Sequence, residues 1–163
     1  MKGVHVITII LGFIVSVALQ TTVANWISIF DIKPDFLLIF VVYQAFRNGP
    51  AAGALWGFLV GFASDTYGPV EWLGAHTIAM TLLGYLTGLL EDKYLTLQLV
   101  PKILALGFGF FFSDLVFLAI SSLSAQQMTH LFLTKSIPEC IYTVVVGGVT
   151  YYFLFRGKRK KHA

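Results

Sequence analysis

The chain has 163 residues, of which 57% are hydrophobic and only 12% are charged. Soluble domains carry about twice that charged share, so the composition excludes an ordinary soluble domain and indicates a multi-pass membrane protein. The basic residues gather at the ends of apolar segments, which favours a topological role for them over nucleic-acid binding. The single cysteine, Cys140, excludes an internal disulfide, and no Cys/His spacing indicates a metal or a cofactor.

Six apolar segments predict an all-α integral membrane fold with six transmembrane helices. We expect one six-helix domain over residues 1–155 and a basic cytoplasmic tail over residues 156–163. The predicted spans, in chain order, are residues 6–30, 36–46, 51–64, 73–90, 103–123 and 137–155.

The first segment also resembles a signal peptide, with Lys2 before the apolar stretch and Thr22-Val23-Ala24 as a cleavage site. Its uncharged run reaches Phe30, which is longer than the usual apolar core of about 7–15 residues. We therefore expect an uncleaved first helix.

The charges predict the orientation. Six spans put both termini on one side, and nine of the eleven Lys and Arg residues fall on that side. Lys33 and Lys135 fall on the opposite side. Because basic residues concentrate in cytoplasmic loops, we expect both termini in the cytoplasm.

The second and third spans are short. Fourteen residues from Ala51 cover roughly 21 Å, against a hydrocarbon core of about 30 Å. A re-entrant hairpin would leave Arg47 near the midplane, at a cost of about 3 kcal/mol or more. Two short spans with Arg47 at the cytoplasmic interface are favoured, and we expect a shallow recess on the outer side near Asp35 and Asp65.

Four glycines, Gly49, Gly53, Gly57 and Gly61, recur every fourth residue, and the next step of four is Asp65. Such a stripe removes the side chains from one helix face and lets another helix pack closely, in a right-handed crossing. The stripe packs either inside the fold or against a partner's helix. Asp65 is either a water-facing helix end or a hydrogen-bonding group that fixes its loop or a partner.

Three more polar residues stand out. Asp35 follows Pro34 and is interpreted first as a helix start, where an acid meets the positive end of the helix dipole, and second as a binding residue. Asp114 lies within the fifth span, where a buried acid needs a function or an internal partner. His76 of the fourth span is one candidate partner, and a neighbouring carbonyl or hydroxyl bonded to a protonated Asp114 is the other.

Catalysis is not expected. Two Ser-Asp pairs suggest an intramembrane aspartyl protease. Such enzymes need two adjacent carboxylates. Here Asp65 lies at the end of its span whereas Asp114 lies within one, so the two acids are at different depths. The chain has no nucleophile elbow, zinc motif or phosphate-binding loop.

Two blocks carry a family resemblance: Lys33-Pro34-Asp35 through Arg47, and Gly53 through Asp65, followed by Gly68 and Leu73-Gly74-x-His76. They resemble the rod shape-determining protein MreD family. The resemblance implies a non-enzymatic membrane scaffold of the bacterial cell-elongation complex, which helps to maintain rod shape and to position lateral peptidoglycan synthesis.

The implied direct partner is the single-pass protein MreC. Through it, the scaffold would meet MreB, the glycosyltransferase RodA and a penicillin-binding transpeptidase. The family's fold is similar to the substrate-binding subunits of energy-coupling-factor vitamin transporters. A small-molecule or ion-binding transporter subunit is therefore the second hypothesis.

Overall fold

The computed structural model describes residues 2–28, 32–66, 73–90, 99–120 and 125–159, and most of these residues are helical. A π-helical segment, Leu19–Val23, joins α1 to α2, and another, Phe132–Ser136, joins α6 to α7. The α-helices are α1 (Lys2–Ala18), α2 (Ala24–Trp26), α3 (Phe36–Asp65), α4 (Ala75–Leu89), α5 (Leu99–Ile120), α6 (Ala125–Leu131) and α7 (Ile137–Arg159). Residues 160–163, the end of the expected basic tail, lie outside the described residues.

Within the described residues, three helical stretches are long and apolar enough to cross a membrane. They are Ile7–Trp26, Lys102–Ile120 and Thr129–Tyr152. They overlap the first, fifth and sixth predicted spans, but the last stretch begins at Thr129 and not at residue 137 as predicted. Their length and composition make the chain an integral membrane protein.

The second and third predicted spans form a single element, α3, that turns sharply at Gly49. The backbone there has φ 82° and ψ −174°, a conformation that essentially only glycine adopts. Pro50 begins the second half, where its missing N–H leaves no unpaired donor. The methyl group of Ala45 lies only 2.8 Å from the position that a Cβ on Gly53 would occupy, so the second half folds back along the first.

One part of the sequence prediction is therefore wrong. Gly49 is not a helical member of a stripe that begins there, because it is the turn between the two halves of α3. The regular four-residue repeat on a helix starts at Gly53.

The second half of α3 runs antiparallel to α4, with backbone against backbone. A Cβ on Gly57 would lie 2.7 Å from the carbonyl carbon of Met80, and one on Gly61 would lie 2.5 Å from the Cα of Thr77. Real Cβ atoms do not come this close to backbone atoms. The face of α3 that carries Gly53, Gly57 and Gly61 is thus filled by α4 of the same chain.

Glycines of α4 match those of α3. A Cβ on Gly84 would lie 2.5 Å from the carbonyl carbon of Gly53, and one on Gly88 would lie 2.6 Å from the nitrogen of Pro50. The contacts thus continue from Gly61 up to the turn at Gly49. Each glycine four residues further along α3 contacts a residue four positions earlier in α4, as expected of antiparallel helices.

The first half of α3 lies at the centre of the core. Leu38, Val41 and Phe46 are at most 1% exposed. From α7, the Tyr151 hydroxyl donates a hydrogen bond to the carbonyl of Ile39 at 3.3 Å. From α1, Phe13 packs on the other side in an aromatic cluster with Phe40 and Trp56.

Candidate functional site

Asp65, the last residue of α3, caps the first turn of α4. Its Oδ2 accepts hydrogen bonds from the N–H groups of Gly74 and Thr77, at 2.9 and 3.0 Å, and from the Thr77 hydroxyl at 2.5 Å. Its Oδ1 accepts from the N–H of His76 at 3.1 Å. Asp65 is only 4% exposed, so it does not face water and instead fixes the loop between α3 and α4.

The sequence explains why α4 needs a cap from elsewhere. Gly74 immediately precedes the helix with φ +95°, and glycine has no side chain that could accept from the first N–H groups. Burial acts to raise the pKa of Asp65, but the hydrogen bonds from Thr77, His76 and Gly74 outweigh it and hold the pKa below its usual value. The ionised carboxylate thus meets the positive end of the α4 dipole.

Asp35 caps the start of α3 in the same way. Its Oδ1 accepts from the N–H of Leu38 at 2.8 Å, which confirms the helix-start interpretation of Pro34-Asp35. Its own N–H donates to the Thr143 hydroxyl of α7 at 3.0 Å. The N–H of Phe36 donates to Oε1 of Gln20 at 2.9 Å, so the start of α3 is also tied to the first π-helical segment.

A cavity of about 210 Å³ lies beside Asp35. It brings together three of the sequence-predicted residues, Asp35 from α3, His76 from α4 and Asp114 from α5. Glu139 from α7 also lines it. Asp65 is not part of its lining, so a recess exists near Asp35, as expected, but it does not include Asp65. We call this space the acidic cavity.

The structure separates the two alternatives for Asp114. The Ser136 hydroxyl, in the second π-helical segment, hydrogen-bonds the Asp114 carboxyl group. The His76 ring instead stacks on Phe117, with 4.2 Å between ring centroids and 20° between planes. Asp114 therefore bonds to a hydroxyl group, and His76 is a neighbour across the cavity. In the described part of the chain, the buried Oδ2 of Asp114 has no hydrogen-bond partner.

A second recess, of about 270 Å³, adjoins the acidic cavity. The two share Gln20, Asp35, His76 and Met80. The rest of the second recess is formed by α1, the two ends of α3 and the π-helical segment, with apolar contributions such as Val17. A polar space and a more apolar one thus share Asp35 in their walls.

Sequence reasoning missed several cavity residues. Glu139 is the only acidic residue in the predicted span 137–155, and that isolation is the signal that could have identified it. Gln20 is one of two side-chain amides in the first span, the other being Asn25. Ser136 gave no signal, because a serine at a helix start is common.

The described residues contain no group of three His, Cys, Asp or Glu side chains placed to hold a metal ion. The acids of the cavity line its wall from different helices.

Comparison with protein families gives one match. The family model described as rod shape-determining protein MreD matches residues 1–160. This range extends well beyond the blocks between Lys33 and His76 that carried the sequence resemblance. Comparisons with curated proteins and with solved structures gave no match.

Proposed function

The chain belongs to the MreD family of rod shape-determining proteins, and from that premise we propose that it is a non-enzymatic scaffold of the bacterial cell-elongation complex. In this role it binds MreC directly and, through it, meets MreB, RodA and a penicillin-binding transpeptidase. It thereby helps to position lateral peptidoglycan synthesis. The family match over nearly the whole chain carries this proposal.

The proposed topology has six spans in the inner membrane and both termini in the cytoplasm. The turn at Gly49 supports it, because two antiparallel halves of α3 count as two spans. Arg47, next to this turn, donates to the Tyr43 hydroxyl at 2.9 Å and lies over its ring, as expected of a cation held at an interface. The acidic cavity then opens towards the outer side.

Within this scaffold, the role we propose for the glycine stripe and Asp65 is internal. Gly53, Gly57, Gly61 and Gly49 hold α3 against α4, while Asp65 caps α4 and Asp35 caps α3. The opposite face of α3 is available to the bilayer or to a partner, since Leu55, Phe58 and Phe62 are 58%, 47% and 56% exposed.

Site-specific photo-crosslinking tests MreC binding. A photoreactive amino acid is placed at Phe58 on α3, at Tyr85 on α4 or at Val145 on α7, all three of which are about half exposed. The full chain is then produced in cells together with MreC. We expect a crosslink to the MreC transmembrane helix from one helix and not from all three. The scaffold proposal is wrong if no position crosslinks and MreC also fails to co-purify.

The acidic cavity favours one second candidate, a ligand-binding transporter subunit similar to those of vitamin transporters. Native mass spectrometry of the purified full chain separates the two. A stoichiometric small molecule without MreC supports a transporter subunit, and MreC, with or without a small molecule, supports the scaffold.

A further inference from the structure

We propose that the acidic cavity, with the recess that adjoins it, binds a small organic cation that carries a protonated amine and an apolar group. This site is independent of MreC binding, because it lies between helices of this chain and not on its exposed faces. Its test can therefore fail without affecting the scaffold proposal.

Charge is the first argument. Of the four acidic residues whose side chains the structure describes, three line the acidic cavity: Asp35, Asp114 and Glu139. Lys33 also lines it, but its ammonium group donates to Oδ1 of Asn25 at 2.6 Å. Lys135 also acts electrostatically on Glu139. The three carboxyl groups still outnumber these two ammonium groups, which makes the space suited to a positive ligand.

The second argument is a hydrogen-bond acceptor that the protein leaves open. Asp114 Oδ2 is buried, and no described residue donates a hydrogen bond to it, although Ser136 bonds to the same carboxyl group. A buried acceptor without a donor is costly, more so within a membrane. An ammonium group in the cavity would supply the missing donor, and charge-assisted bonds of this kind are the stronger ones.

Helix irregularity on both sides of the cavity is the third argument. The π-helical segments Leu19–Val23 and Phe132–Ser136 supply Gln20 to the cavity wall and Ser136 to Asp114. Such segments are rare and often occur at functional sites, because they redirect side chains at some cost to helix geometry. Here one segment supplies a side chain to the cavity wall, and the other supplies a partner to an acid in that wall.

Size decides the class of cation. Within the described residues, no group of three His, Cys, Asp or Glu side chains is placed to hold a metal ion, and the proposed ligand is an organic cation. The volumes are about 210 and 270 Å³, each below the range of roughly 300–1,000 Å³ that is typical of ligand sites, and the two spaces have Asp35 in their common wall. An ammonium group among the carboxylates, beside Phe110 and Phe117, would leave the apolar part in the second recess.

Isothermal titration calorimetry on the full chain in lipid nanodiscs tests this proposal. The probe is 2-phenylethylammonium at neutral pH, and the matched probe is 2-phenylethanol, which replaces the ammonium by a neutral hydroxyl. Empty nanodiscs correct for partitioning of either probe into lipid. We expect saturable binding of the ammonium probe and at least about tenfold weaker binding of the alcohol, the loss of one charge-assisted interaction.

Three variants locate the site. Asp114→Asn and Glu139→Gln each remove one carboxylate with little change of shape, and each should weaken binding of the ammonium probe about tenfold or more. Asp35→Asn adds a third test, because Asn caps a helix as well as Asp and the start of α3 should stay intact. Asp92→Asn is the matched control. It also removes one negative charge, at a position that follows α4 in the sequence, and it should bind the ammonium probe as tightly as the parent chain does.

Thermal unfolding of each variant without a probe shows which ones are folded and can be interpreted. Equal affinity for the ammonium and the alcohol would overturn the proposal in favour of a merely apolar recess. Absence of saturable binding by the parent chain would also overturn it, since the carboxyl groups would then be neutralised by protons alone. Weakening in Asp92→Asn as large as in Asp114→Asn would place the binding elsewhere.

Discussion

The carboxylate of Asp65 at the end of α3 holds Thr77 in the first turn of α4 twice, through its backbone N–H at 3.0 Å and its hydroxyl at 2.5 Å. Thr77 is also the residue whose Cα approaches Gly61 most closely. The acid and the last glycine of the repeat therefore act on the same turn of α4. One fixes it by hydrogen bonds and the other by backbone contact.

Asp65→Asn should destabilise the protein. The native carboxylate accepts on both oxygens, whereas an amide has one acceptor oxygen and presents its NH₂ group to the N–H groups of α4. Leaving one or more of these buried donors unpaired costs about 1–3 kcal/mol, so we expect a clear fall in the unfolding midpoint of the full chain in detergent.

Asp35→Asn is the control for this substitution. Asp35 caps α3 through Oδ1 and the N–H of Leu38, and Asn is as good a capping residue as Asp. Its unfolding midpoint should stay close to that of the parent. If both variants lost the same stability, the loss would reflect negative charge in general and not the cap on α4.

The contribution of Asp65 should depend on pH with a definite sign. Its pKa in the folded chain is lowered, because the hydrogen bonds to α4 outweigh the effect of burial. A group of this kind adds stability above its unfolded pKa of about 4, and this stability is lost as the pH falls through the lower folded pKa. The stability difference between the parent and Asp65→Asn should thus be full at pH 7 and shrink below about pH 4. A difference that stayed constant or grew on acidification would contradict the assignment.

Much of the helical framework could be predicted from the sequence. Hydropathy identified the three long spans, and Pro34-Asp35 identified the start of α3. These features are local, because a run of apolar residues or a capping acid is sufficient evidence by itself. The glycine repeat also predicted a close helix contact.

Other features depend on which helices become neighbours, and the sequence does not state that. The glycine repeat alone could not show that α4 packs against this face of α3. The matching positions on α4 include Met80 and His76, which are not small residues. Their backbone atoms are the ones that approach the glycines most closely. Gly49 seemed to belong to the repeat because its spacing fits, but the following Pro50 makes it a turn.

The acidic cavity could be predicted least of all. Its acids are separated by long stretches of sequence, from Asp35 to Glu139, and each one alone has an ordinary structural explanation. The pairing of Asp114 with Ser136 requires a π-helical segment, which no simple periodicity predicts.

Gly57→Ala should test the contact between α3 and α4. Its Cβ would overlap the backbone carbonyl of Met80, which cannot move without separating the two helices. Overpacking of this kind costs about 1–3 kcal/mol, so we expect a lower unfolding midpoint and a smaller yield of folded protein.

Gly148→Ala is the matched control on α7. Its Cβ would meet the tip of the Ile103 side chain at 3.3 Å, a contact that a small change of rotamer relieves. Its stability should fall by less than that of Gly57→Ala. Equal losses in the two variants would show that any helical glycine behaves in this way and that α4 has no special role.

Gly49→Ala should destabilise the turn within α3 for a different reason. The obstacle is the backbone conformation, because φ 82° with ψ −174° strains any residue that has a Cβ by about 1–3 kcal/mol. Gly107→Ala provides the control, since Gly107 lies within α5 and its Cβ would meet only a side-chain methyl of Val144 at 3.3 Å. There, alanine also gains up to about 1 kcal/mol of helix propensity. Thermal unfolding should rank Gly107→Ala well above Gly49→Ala in stability. The reverse order would mean that the two halves of α3 form one continuous helix and that Gly49 is an ordinary member of the repeat.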